Sequence, residues 1–177
     1  ALQALNRIGT VAGTDDTKCY KTLFNAYLEL SKPPFPVGPQ FNLNTIHPKM
    51  STWPQVSGWA ESNSKMAEAI LKCNTPKITM VGLPYGRDGL DPAYVKAGLV
   101  ADVGARGGLH NIEFPYLQAL DTIAAFATAE TYRLLEAGQI QKALDLAVAH
   151  SFVLRQFCDR EFLVEKLYAV VLLSSAM

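Results

Sequence analysis

Apolar positions fall at spacings of three and four along much of this chain, broken by clusters of proline and glycine. Behind Asp15 and Asp16 the series Cys19, Tyr20, Leu23, Phe24, Tyr27, Leu28 and Leu30 predicts a helix with one buried face. An aspartate there predicts its N-cap, and Pro33-Pro34 stop it after Ser31. A second helix is predicted from Ser57 or Trp59 to Cys73, with Met66, Ala67, Ile70 and Leu71 on its apolar face. Ile78 to Leu83 predicts a short buried strand, and Pro84 to Gly89 a turn-rich segment. Asp91-Pro92 sets an N-cap before a proline at the first helical position, so a short helix is predicted to Lys96. Gly98 to Leu109, with four glycines, predicts a loop. Between Arg7 and Ala12 a short strand and a frayed lead-in both remain open.

The pattern changes beyond Pro115. All ten prolines and eleven of the twelve glycines lie in the first 115 residues; from Tyr116 to Met177 only Gly138 interrupts. Internal proline costs a helix about 3 kcal/mol and glycine about 1 kcal/mol relative to alanine, so this stretch predicts long helices. Leu117, Leu120, Ile123, Ala124, Ala127 and Leu134 share the face of one that Gly138 ends. Ile140, Ala143, Leu144, Ala147 and Leu154 mark the next, and Phe162, Leu163, Leu167 and Val170 a third, with Asp159 expected to cap it. Short connections predict antiparallel neighbours. Leu134-Leu135-Glu136-Ala137-Gly138-Gln139 followed by Ala143-Leu144 resembles the middle of a tetratricopeptide-type helical hairpin, glycine making the turn and alanine the close approach. Generic antiparallel packing asks for the same residues, and no second copy follows at a 34-residue period.

From Lys32 to Gly58 the chain carries six prolines, two lysines and no acid. Phe35, Val37, Phe41, Leu43, Ile46, Met50, Trp53 and Val56 give this segment too much apolar surface for a solvated linker. It predicts an ordered loop wrapped over the core.

Composition narrows the function. At 177 residues the chain fits one domain, a loop-rich part over 1–115 and a bundle part over 116–177. Sixteen basic residues balance sixteen acidic ones, so there is no basic stripe to meet nucleic-acid phosphates. Cys19, Cys73 and Cys158 are far apart and in no CxxC spacing, which predicts a reducing, cytoplasmic setting; a removed signal segment would leave a secreted chain equally compatible. The longest apolar run, Leu167 to Leu173, falls short of the ~20 residues that span a bilayer. Ala1 at the start and Met177 just behind an apolar run predict a fragment or a processed chain.

His47, Trp53, Trp59, Tyr85 and Arg87 are the candidate ligand-binding set: aromatic walls beside an imidazole and a guanidinium, all on predicted loops or their edges. Trp53 and Trp59 serve equally well as apolar wedges sealing the loop to the core. Gly104-Ala105-Arg106-Gly107-Gly108 could offer backbone N–H groups to an anion, but matches neither dinucleotide nor P-loop spacing and reads as well as a flexible connection. His110 and Glu113 give two metal ligands where a site needs three or four, so no metal and no cofactor is expected. His150 reads as a core or boundary histidine with a satisfied ring nitrogen. Ser57 lacks the nucleophile-elbow glycines, and Cys73 at a helix end lacks a histidine and a thiolate-favouring environment. Arg155, Asp159, Arg160, Glu161, Glu165 and Lys166 read as a solvated face and a cap.

The sequence therefore predicts a mainly α fold: a helical bundle with three antiparallel C-terminal helices, two N-terminal helices, a short strand unit and a long Pro-rich wrapping loop. Two functional classes follow. One is a non-enzymatic interaction or scaffold domain that holds a protein partner or a second copy of itself. The other is an enzyme or small-ligand binder whose pocket is built from the Pro-rich and aromatic loops.

Overall fold

A computed structural model describes residues 2–7, 11–38, 42–103 and 112–176, and the fold is mainly α. Three helices form the C-terminal bundle: α6 (Leu117–Glu136), α7 (Ile140–Phe157) and α8 (Leu163–Ala176). Gly138 turns the chain between α6 and α7 at φ +69°, a conformation glycine adopts without a Cβ clash. Tyr116 bonds to Glu165 and Tyr168 to Asp121, so α8 runs alongside α6 in the same direction, with α7 opposed to both. The expected up-down-up bundle is present.

Among the described residues five helices precede it: α1 (Leu2–Leu5), α2 (Tyr20–Glu29), α3 (Trp53–Ser62), α4 (Ser64–Cys73) and α5 (Pro92–Lys96). α3 packs on α6, while α4 lies against both α2 and α7. α5 matches expectation, with Asp91 Oδ1 accepting from the Ala93 N–H at 2.8 Å. The first long helix does not start at Asp15 or Asp16. Those residues form a 3-10 turn, Asp15 pairs with Lys21 at 2.6 Å, and α2 begins at Tyr20.

The second predicted helix is two. α3 opens at Trp53 with Pro54 in its first turn, where a missing N–H leaves no bond unmade. At Asn63 the helix breaks because the side chain substitutes for backbone: Nδ2 donates to Trp59 O at 2.6 Å and to Ser31 Oγ at 2.9 Å, while Oδ1 accepts from the Ser31 N–H at 2.9 Å.

Ile78 to Leu83 is buried from Val81 but makes only an isolated parallel bridge, Lys18 to Met80, rather than a strand. Gly82 lies beneath the Lys18 side chain at φ +68°; a Cβ there would sit 2.2 Å from Lys18 Cγ. The two strands among the described residues, β1 (Asp102–Val103) and β2 (Ile112–Glu113), pair antiparallel inside and just beyond the segment expected to be loop.

The Pro-rich segment is ordered where described. Its 3-10 turn Leu43–Thr45 buries Leu43 and packs on α6 and α8, Ile46 is buried, and Phe35 meets Trp59 edge-on at 5.8 Å. Phe41, the Gly104–Gly108 loop with Arg106, and His110 lie outside the described residues. One contiguous core spans both parts of the chain.

Candidate functional site

The five predicted ligand-binding residues occupy separate surroundings. Trp53 and Trp59 sit on the face of α3 turned toward α6, both buried. Trp53 meets Tyr132 at 6.4 Å and donates its indole N–H to Glu136 Oε2 at 2.6 Å. Trp59 meets Phe126 at 5.7 Å and donates to Ser31 O at 2.8 Å. These are wedges with satisfied N–H groups. Arg87 is half exposed and pairs with Asp102 Oδ2, through Nε at 3.0 Å and Nη2 at 2.5 Å. His47 is half-buried, and its Nδ1 accepts from the Lys49 N–H at 3.1 Å. Among the described residues no hydrogen bond, ion pair or ring contact joins any of the five to another.

Tyr85 leads to the densest polar cluster. Arg160 and Glu165, expected on a solvated face, are both fully buried and pair at 3.0 Å. Glu165 Oε1 also accepts from the Tyr116 hydroxyl at 2.6 Å; Oε2 accepts from the Tyr85 hydroxyl at 2.7 Å and the Phe162 N–H at 3.3 Å. Arg160 lies 4.0 Å from the Tyr85 ring centroid and donates to Leu83 O at 2.5 Å, while its Nη2 has no partner. The Tyr85 hydroxyl accepts in turn from the Glu161 N–H at 3.0 Å.

Burial pushes the Tyr116 hydroxyl well up, and the Glu165 carboxylate pushes it further. Tyr85 rises for the same two reasons, against the opposing pull of Arg160. Neither tyrosine yields a proton at neutral pH. With both Glu165 oxygens saturated and no solvent access, the cluster is a clasp holding the start of α8 to the loops around Leu83 and Tyr85, not acid–base machinery.

The clasp also corrects the expected cap. Asp159 pairs with Arg155 at 2.6 Å, and α8 takes its N-terminal bond from Glu165, the acid reaching back to Phe162 as in half of a capping box. That spacing was the one sequence signal available for Glu165; Arg160 carries none.

His150 is buried, and its Nε2 has no hydrogen-bond partner. Burial pushes it down to about 4, so the ring is neutral at physiological pH. The described residues contain no group of three or more His, Cys, Asp or Glu able to hold a metal ion. Cys19 and Cys73 are buried free thiols; Cys19 donates to Gln156 Oε1 at 3.2 Å. No helix among the described residues is long and apolar enough to cross a membrane.

The outer face of α8 is apolar. Leu163, Val164, Leu167, Val170 and Val171 are between 47% and 69% exposed. The helix has only two charged residues; Glu165 is in the clasp and Lys166 is half-buried. Neighbouring α7 adds exposed Ile140, Leu144, Val148 and Phe152 at four-residue spacing.

No protein-family model, no curated protein and no solved structure matches this chain.

Proposed function

We propose that this chain is a non-enzymatic helical interaction domain, that the outer face of α8 is its docking surface, and that its occupant is a second copy of the chain. The observation that carries the reading is the run Leu163, Val164, Leu167, Val170 and Val171, exposed together and free of charge. A helix apolar on every face is ordinarily buried all round, and uncharged apolar patches on a protein surface mark contact sites. Two features favour self-association. A face holding only Leu and Val meets its own copy without bringing like charges together. The balance of sixteen basic and sixteen acidic residues places no net repulsion between copies.

Sedimentation velocity over a range of protein concentrations tests the proposal, using the wild-type chain with Leu167→Asp and Val171→Asp. A concentration-dependent dimer is expected, weakened roughly hundredfold by either carboxylate because an unpaired charge would be buried. Far-UV circular dichroism of both variants should match wild type, since both side chains are already exposed. A chain that stays monomeric at every concentration overturns the reading, as does a dimer indifferent to both substitutions.

A further inference from the structure

A cavity of about 260 Å3 opens where the Leu43–Thr45 turn, α6, α7 and the end of α8 meet. His150, Thr128, Thr131, Ser175 and Asn44 line it, the remaining wall is apolar apart from one tyrosine hydroxyl, and none of the lining side chains is an acid, a lysine or an arginine. An ion entering such a wall would lose its hydration without gaining a counter-charge.

The hydroxyls have a fixed polarity. Thr128 spends its single proton on Ala124 O at 2.9 Å, and Ser175 spends its own on Val171 O at 3.0 Å. Each is left with lone pairs only, so each can accept and not donate. His150 adds a buried Nε2 with no partner in the protein. Two committed acceptors, an unpaired ring nitrogen and the Thr131, Tyr132 and Asn44 groups, which can also donate, favour a guest whose hydroxyls bring protons and accept them too.

We propose that this cavity is a binding site for a small, uncharged ligand that carries two or more hydroxyl or amide N–H donors on an apolar frame. The volume suits a single-ring molecule and falls just below the range of drug-sized pockets. The site is built in part by the Pro-rich segment, through Leu43 and Asn44, and its imidazole is His150 rather than His47.

The test is titration of the isotope-labelled chain with 4-hydroxybenzyl alcohol, followed by backbone and histidine-ring NMR shifts. The anionic counterpart 4-hydroxybenzoate and the donor-free 4-methylanisole serve as comparison probes. The alcohol is expected to shift residues around the cavity with millimolar affinity and to bind about tenfold more tightly than either comparison probe, the effect of a lost hydrogen bond or an unpaired charge. Ala147→Leu, which fills the cavity from a half-exposed position, should abolish the shifts. Thr128→Val, which removes an acceptor at constant shape, should weaken binding about tenfold. Wild-type spectra for both variants outside the cavity keep the comparison valid, and Thr131→Val replaces any variant that misfolds. Absence of cavity shifts, equal binding of the anion or the anisole, or binding that survives Ala147→Leu overturns the proposal.

Discussion

His150 illustrates how a single buried group ties stability to pH. Its folded-state value of about 4 lies below the ordinary 6.5, and the cause is burial alone, with no charged neighbour contributing. As pH falls below about 6.5 the unfolded chain takes up a proton that the folded chain refuses until about pH 4. Stability is therefore full above that window, declines through it, and levels off below it. The decline attributable to this residue is on the order of 3 kcal/mol. Urea unfolding between about pH 7 and about pH 4, compared with a His150→Phe variant, measures it. The variant should show a flatter profile across this window; identical profiles would mean that the ring is not held neutral.

At the scale of elements, the seam between α3 and α6 has a definite register. Trp53 faces Tyr132 and Trp59 faces Phe126, so a step of six residues forward on one helix matches six backward on the other. Both indoles are consequently shut in between helices. Acrylamide should quench their fluorescence weakly, with both protected in the native chain and strong quenching appearing only on unfolding. Strong native quenching of either would contradict the seam.

This seam also marks where sequence pattern reached and where it stopped. The apolar face of α6 and the Gly138 turn were legible because nothing in that stretch competes with a helix. The start of α3 was not: Pro54 reads as a breaker unless it falls in a first turn, and only the packing of Trp53 against α6 places it there. The break at Asn63 was hidden too, since its cause is Ser31, thirty-two residues away in sequence.

Across the whole molecule, the clasp joins the loop-rich part to the bundle. Bonds from Tyr85, Leu83 and Tyr116 converge on Arg160 and Glu165, so α8 is fastened to the core at one end while its outer face stays open. Removing one partner of a buried ion pair leaves the other uncompensated, at about 3–5 kcal/mol. Glu165→Leu and Arg160→Met are each expected to destabilise the chain by that order, and the double variant by less than their sum. Because the core is contiguous, near- and far-UV circular dichroism should shift together in urea. Additive losses, or a far-UV change that precedes the near-UV one, would mean that α8 detaches independently.

The clasp was illegible for a different reason from α3. Within Asp159, Arg160, Glu161, Glu165 and Lys166 the charges look alike, and which of them turn inward depends on tyrosines forty-nine and eighty residues earlier. Of the five aromatic and polar candidates, Tyr85 belongs to a buried polar network with Glu161 and Glu165. Local pattern could not say that its carboxylate partner lies in the last helix.

That long reach sets a clock on biosynthesis. The Tyr85 hydroxyl meets its carboxylate only after eighty more residues have been added, roughly 4–16 s at ~5–20 residues per second. Until then the ribosome carries a nascent chain in which the Tyr85 hydroxyl lacks its carboxylate partner. The final locking of this fold waits for α8, and a pause in the codons for α8 would lengthen the exposure of the groups that close upon it.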